Sequence, residues 1–299
     1  MSVFSEKTNE YVMIADARIK EYMNVSGIPE VLRRAMDYSI SAGGKRLRPC
    51  LTLAACDMIG GSRAAALPLA CAMEMIHTYS LIHDDMPCMD NDDYRRGKPS
   101  NHKMFGETFA LLAGDGLLSY AFEIMLNAAR TYCEKVPTYT DAMYAIAEGS
   151  GVRGMVAGQV ADLSSNDVAC DAANADKLAY IHTHKTGALI KASLLAGIYT
   201  GNAKATEITA IVKFGEAYGL LFQITDDILD VEGDFKGMGK TLGKDAAQQK
   251  LTYVNLYGLD KAKIVAKNTA DEAKCALEQF AEAAEYLREL TDNTLNRKK

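Results

Sequence analysis

Five aspartates, Asp84, Asp85, Asp90, Asp92 and Asp93, fall within ten residues, and Arg95 and Arg96 follow directly. A second set, Asp226, Asp227 and Asp230, stands far downstream. Each set follows an apolar run that reads as a buried helix, and carboxylates at the mouth of a core helix need a compensating cation. Asp226 and Asp230 are four apart, so a helix places them on one face about 6 Å apart along the axis. Like charges repel there, and helix propensity does not account for them. The same face runs back through Gln223, Gly219 and Gly215, whose small residues would leave room below the carboxylates. Asp84 and Asp90 are six apart and would not align on a continuous helix. Pro87 breaks that helix, so the chain can turn back and bring Asp90 near Asp84. Hard oxygen donors held this way suit Mg²⁺, which keeps several waters and shares phosphate oxygens with a substrate.

Cations flank these loops. In Ser41-Ala42-Gly43-Gly44-Lys45-Arg46-Leu47-Arg48-Pro49, two glycines precede three cations and run into a helix. Glycines let the backbone approach an anion, and a helix start adds partial positive charge. The spacing is not that of the nucleotide P-loop, and a basic turn capping a helix is the simpler reading of the fragment alone. Lys185 and Lys240 also sit in glycine-bearing loops, and His77 lies seven residues before Asp84 on the same helix face. Taken together, two carboxylate clusters and these cations suit a diphosphate held by Mg²⁺ and guanidinium groups. No His-Glu-x-x-His occurs, and no Ser-His-Asp or Cys-His arrangement, which disfavours zinc hydrolysis and covalent catalysis. Glu-x-x-His pairs of a di-iron bundle are absent as well.

The elements that must position these groups read almost entirely as helix, with only six prolines and few strand signatures. Helices are expected over 6–23, 28–40, 50–60, 63–86, 103–133 (as a pair), 138–163, 175–200 and 205–231. The 138–163 segment carries Gly149, Gly151, Gly154 and Gly158, which point to tight packing or ligand clearance. An interruption is expected around His184-Lys185-Thr186-Gly187. Residues 164–174 read as a loop and 232–250 as a mobile, lid-like loop. The chain then reads as helical to a frayed end at Asn296-Arg297-Lys298-Lys299.

Composition narrows the classes. The 299 residues are 48% hydrophobic and 24% charged, enough for a large core, and one domain over 1–299 is expected because no linker shows a composition shift. A net charge of -6 with no basic stripe argues against nucleic acid. Seven cysteines at 50, 56, 71, 88, 133, 170 and 275, without a Cys-x-x-Cys, read as free thiols in a reducing cytoplasm. No signal peptide and no membrane span are expected.

The motifs together resemble the trans-isoprenyl diphosphate synthases, and bacterial farnesyl diphosphate synthases most closely. The resemblance rests on Gly43–Pro49, the DDxxxxD form at Asp84–Asp90 with Arg95-Arg96, Lys185-Thr186-Gly187, Gln223 with the DDxxD at Asp226–Asp230, and Gly239-Lys240-Thr241. It implies an all-α, single-domain bundle of antiparallel helices around a deep central pocket (the isoprenoid synthase fold), as a homodimer. It implies three Mg²⁺ ions per site, with Mn²⁺ a possible substitute: Asp84 and Asp90 hold two and Asp226 the third, supported by Asp85, Asp227 and Asp230. It places an allylic diphosphate on Arg95, Lys185 and Lys240, and isopentenyl diphosphate on Lys45, Arg48, His77 and Arg96. Gln223, Thr186 and the Lys185 carbonyl would stabilise an allylic cation. Tyr79 and Ser80, five and four residues before Asp84, would set chain length. Tyr79 lies roughly 7.5 Å down the helix, and an aromatic there implies a C15 product, farnesyl diphosphate. A C20 geranylgeranyl product is the alternative. A class I terpene cyclase and a non-catalytic synthase subunit fit less well, because both Asp-Asp motifs and the Gly-Gly-Lys-Arg loop are intact.

Overall fold

The computed structural model describes residues 3–165, 174–232 and 251–297. Helices dominate them. In chain order they are α1 (Val3–Met23), α2 (Glu30–Ile40), α3 (Leu47–Met58), α4 (Arg63–Asp84), α5 (Asn101–Phe105), α6 (Glu107–Tyr132), α7 (Tyr139–Ser150), α8 (Met155–Leu163) and α9 (Ala175–Ile181). A π-helical turn (His182–Gly187) leads into α10 (Ala188–Ile198), then α11 (Ala205–Glu232), α12 (Tyr253–Tyr257) and α13 (Leu259–Ala276). A 3₁₀ segment (Glu278–Ala284) precedes α14 (Glu285–Leu295). The strands among the described residues are β1 (Tyr94–Arg95) and β2 (Lys98–Pro99), an antiparallel pair with Tyr94 opposite Pro99.

α4 is the axis of the bundle. Ser62 caps it by accepting from the Ala65 amide, which satisfies an orphan donor of the first turn. Pro68 is tolerated near the start, and the helix stops at Asp84, three residues before Pro87. One side of α4 (Leu69, Met73, Ile76) joins α2, α6 and α7 in one apolar cluster. The other (Ala66, Ala70) joins a second with α3, α10, α11, α13 and α14. α13 packs through alanines at 262, 266, 270 and 273, a narrow stripe that lets it lie close on α11. Burial by neighbours on both sides explains why α4 is apolar nearly all round.

Two helices, α4 and α6, are long and apolar enough to cross a membrane by length and composition, which the sequence reading did not register. For α4 the apolar window is 72% buried, which a core helix explains. α6 leaves Phe109, Leu111, Leu112 and Leu126 exposed.

The expected helix over 138–163 is two helices, because the chain kinks at Gly151–Gly154. The described cysteines, all but Cys170, are free thiols. The tail is not frayed through Arg297, whose side chain docks on α11.

Candidate active site

The first carboxylate cluster is made by the way α4 ends. Past Asp84 the chain folds back on itself: the Asp90 amide donates to the Asp84 carbonyl at 2.9 Å, Asn91 to Met86 and Asp92 to Asp85. Asp90 therefore returns to Asp84. Asp84 takes a hydrogen bond from Gln159 Nε2 of α8 at 2.8 Å. Burial pushes the Asp84 carboxyl up to about 6; Lys185 and Arg95 pull it down, while Asp90 and Asp85 add to the rise. A shielded Asp84 with Asp90 and Asp85 adding to its rise calls for an outside cation.

Asp85 behaves differently. It is 2% exposed and is gripped by Arg95, whose Nε and Nη2 both donate to it. A two-residue turn, Arg96-Gly97, places Arg95 there: both residues have positive φ (52° and 73°), the geometry of a type I′ hairpin. The same turn aims Arg96 the other way, where Nη1 donates to the Gly43 carbonyl. A Cβ on Gly44 would stand 2.8 Å from the Arg96 guanidinium, so a glycine lets the two loops meet.

That meeting builds a cationic cradle. Arg48 is half-buried with a fully shielded Nε, and burial lowers it to about 10 against the pull of Glu74. His77 beside it is held well below its usual range, first by burial and then by the charges of Arg48, Arg96, Arg95 and Arg46, so it is neutral at pH 7. Lys45 is exposed at the rim. Arg46, in the middle of the same motif, faces inward. It adopts a left-handed backbone (φ 46°), and its guanidinium bonds to Asp16, Glu74 and the Ile40 carbonyl at 2.7, 3.0 and 2.6 Å. Arg46 and Glu74 form the buried brace on which the cradle stands.

The second cluster lies on α11. Asp227 is 4% exposed and already satisfied: Gln223 Nε2 donates at 3.2 Å and the Tyr253 amide at 2.8 Å. Gln223 Oε1 in turn accepts from the Thr186 hydroxyl at 3.0 Å. Thr186 and Lys185 stand on the π-turn, which widens the helix where sequence suggested an interruption. Lys185 Nζ donates to Asp162 Oδ2 at 2.5 Å. Gly158 and Gly219 clamp this turn from both sides; a Cβ on Gly158 would sit 2.1 Å from the Lys185 nitrogen, and one on Gly219 2.9 Å from Gly187. Gly219 thus serves helix contact, and Gly215 likewise abuts Lys191, rather than leaving room for a ligand. His182 is buried and lowered to about 3 by burial, stacked on Tyr253. Asp226, by contrast, takes Arg297 Nη2.

Tyr79 is 7% exposed and meets His83 edge-on, with ring centroids 5.6 Å apart. Ser80 turns its hydroxyl back to the His77 carbonyl. Lys240 and the expected lid over 232–250 lie outside the described residues, apart from Glu232 at the end of α11. A groove of about 1250 Å³ between α11, α13 and the π-turn contains none of the aspartates or cradle cations, although Gly187 and Tyr253 line it.

Sequence reasoning missed Gln159, Asp162, Glu74, Asp16 and Arg297. Gln159 and Asp162 were detectable in principle, since they are three apart on one face of a glycine-bearing helix. Glu74 was visible as the lone charge in the apolar α4 run.

An acidic fold-back at the end of α4, a second acidic stretch on α11 and a cationic cradle, in an all-α bundle, are the parts that an enzyme of diphosphate-bearing substrates needs. Comparison with known proteins agrees. The polyprenyl synthetase family matches residues 29–290, and the chain belongs to it. It is a prenyltransferase that condenses isopentenyl diphosphate with an allylic diphosphate. Its similar relatives include the large subunit 1 of the chloroplastic heterodimeric geranylgeranyl pyrophosphate synthase of Arabidopsis thaliana, 48% identical over 84% of this chain and 68% of the relative. The chloroplastic geranylgeranyl pyrophosphate synthase of Capsicum annuum is also 48% identical, over 84% and 67%. Among solved structures, an FPP/GFPP synthase from Zymomonas mobilis aligns with a TM-score of 0.84 at 35% identity, covering 98% of this chain and 100% of that one. A geranyltransferase from Legionella pneumophila aligns at 0.85 and 32% identity, covering 98% and 97%. These neighbours bear out the all-α isoprenoid synthase fold.

The relatives overturn the cytoplasmic expectation, since both curated ones named above are chloroplastic proteins. Free thiols report a reducing milieu and do not name a compartment.

Proposed function

We propose that this chain elongates an allylic diphosphate with isopentenyl diphosphate to a short all-trans prenyl diphosphate, with the two substrates held on the two halves of the site described above. The observation that carries the reading is the pairing of a raised, cation-seeking Asp84 beside Asp90 with a separate cradle of Arg48, Arg96 and neutral His77. Among the described residues no cluster of three or more His, Cys, Asp or Glu is preassembled for a metal. The carboxylates nevertheless fit one in chemistry: Asp84, Asp90, Asp226 and Asp230 are hard oxygen donors, and together with diphosphate oxygens they would hold Mg²⁺. When bound there, Mg²⁺ would supply positive charge that stabilises a diphosphate leaving group.

The chain's own groups do the rest. Lys185, oriented by Asp162, and Arg95, oriented by Asp85, direct their charge at the allylic diphosphate. Gln223 and Thr186, locked to each other and to Asp227, turn oxygen dipoles toward the carbon that becomes electron-poor. The cradle aligns the isopentenyl double bond for attack, and the released diphosphate takes the proton, so no protein base is needed.

Product length has two supports that differ. The curated relatives are geranylgeranyl synthases, which favours C20 and gives it the broader backing. The buried aromatic Tyr79 favours C15. Purified protein incubated with Mg²⁺, dimethylallyl diphosphate and isopentenyl diphosphate should yield a C15 or C20 product, and absence of condensation rejects the reading. If Tyr79 forms the floor, wild type stops at C15 and Tyr79→Ala lengthens the product by at least one unit. A C20 wild-type product unchanged by Tyr79→Ala removes the floor.

The exposed apolar face of α6 further supports a homodimer, because a second copy would cover Phe109, Leu111, Leu112 and Leu126.

A further inference from the structure

Arg297 lies two residues beyond α14, yet its side chain is only 12% exposed. Its Nη2 donates to the Phe222 carbonyl and the Thr225 hydroxyl, both at 2.8 Å, and to Asp226 Oδ1 at 2.5 Å. One nitrogen with two hydrogens serves three acceptors, so at least one hydrogen is shared. The guanidinium also lies over the Phe222 ring, 4.4 Å from its centroid. α14 is fastened beside it by the Tyr218–Thr294 hydroxyl pair at 2.9 Å. Three of these anchors, a carbonyl, a hydroxyl and a ring face, are neutral and belong to the turn of α11 that carries Asp226. The seat of Arg297 is therefore defined without Asp226, and the guanidinium stays when that carboxylate takes a second cation.

We propose that Arg297 is a positioning residue for the second carboxylate cluster: it pins Asp226 through Oδ1 in one rotamer and offsets the repulsion from Asp230, so that the C-terminal turn becomes part of the diphosphate site. This rests on the function proposed above. A pinned carboxylate loses no rotamer freedom on binding a cation, and groups that orient metal-binding carboxylates carry tenfold or greater effects on affinity.

The test measures binding of inorganic pyrophosphate in the presence of Mg²⁺ by calorimetry on the full chain, with thermal unfolding in metal-free buffer alongside. Wild type is expected to bind only with Mg²⁺. Arg297→Gln should weaken that binding about tenfold. Arg297→Lys, which keeps the charge and loses the planar fork, should recover part of it. Thr294→Val loosens α14 with the guanidinium retained; it should lower the unfolding midpoint and leave pyrophosphate affinity unchanged. A wild type that does not bind Mg²⁺ and pyrophosphate overturns the functional reading, and the role of Arg297 falls with it. A binding wild type matched by Arg297→Gln overturns the positioning role alone. Tighter binding by Arg297→Gln also overturns it, because Arg297 would then compete with the metal. Equal weakening by Thr294→Val overturns it too, by assigning the effect to helix docking.

Discussion

The two aspartate clusters share a pattern and reach it by different routes. In the first, a helix ends and a loop folds back to return Asp90 to Asp84. In the second, an unbroken helix spaces Asp226 and Asp230 by one turn. Yet both treat the second aspartate of the Asp-Asp pair alike. Asp85 and Asp227 are nearly sealed, 2% and 4% exposed, and protein donors consume them: Arg95 in one case, Gln223 and the Tyr253 amide in the other. The first aspartate of each pair remains at the edge. Adjacent residues on a helix point about 100° apart, so one member of any Asp-Asp pair faces the bundle and the other its mouth. The inward carboxylate braces its surroundings; the outward one, bonded to Gln159 in the case of Asp84 and to Arg297 in that of Asp226, stands where a cation can reach it.

This division can be broken experimentally. The largest effect belongs to Asp84. Its folded value is raised from 3.8 to about 6, so its contribution to the fold is fully present below pH 3.8 and is lost as pH rises through about 6. Asp84→Asn should therefore stabilise the metal-free protein at pH 8, by up to about 3 kcal/mol, while cutting condensation at least about a hundredfold. Chemical denaturation and a product assay on one preparation check both; a destabilised Asp84→Asn would remove the contrast. Asp85→Ala should do the reverse for stability and cost about 3–5 kcal/mol, because it strands a shielded Arg95. Asp227→Ala should cost less, about 1–3 kcal/mol, since neutral donors are orphaned. Equal stability in all three variants would show that inward and outward aspartates do not differ.

The smallest effect sharpens the contrast between carboxylates and cradle. His77 is held neutral by burial and by four arginines. With its folded value below 6.5, its contribution to the fold is present above pH 6.5 and is lost as pH falls toward the lowered value. Pyrophosphate would offset those arginines and raise His77, so at pH 6 His77 should take up a fraction of a proton, on top of the protons that Asp84 and pyrophosphate themselves exchange on binding. Calorimetry in two buffers of different ionisation enthalpy measures the net exchange, and His77→Gln should shift it by that fraction toward release. Identical uptake by the variant would place the proton elsewhere.

Much of the site was legible because its residues are close in sequence. Spacing four put Asp226 and Asp230 on one face, Pro87 forced the fold-back at Asp90, the glycines of 138–163 pointed to tight packing or ligand clearance, and His184–Gly187 read as an interruption. Gly219 and Gly215 misled, since a small residue signals close approach without saying whether a ligand or a helix approaches; here it is the π-turn and α10. Arg46 carries no role in the sequence reading: in a run of three cations, nothing local says which one turns inward. Its left-handed backbone and its bonds to Asp16 and Glu74 decide that, and those partners are 30 and 28 residues away.

Sequence by itself determined the helical class, the two acidic helix ends and the chemistry that such carboxylates and cations can perform, because these follow from local spacing and residue type. Tertiary structure alone decided which aspartate of each pair is sealed, that Gln159 and Asp162 serve Asp84 and Lys185, and that Arg297 closes on Asp226. Each is a contact between helices far apart in the chain, fixed by how apolar faces and glycine clearances pack, and no local pattern encodes it.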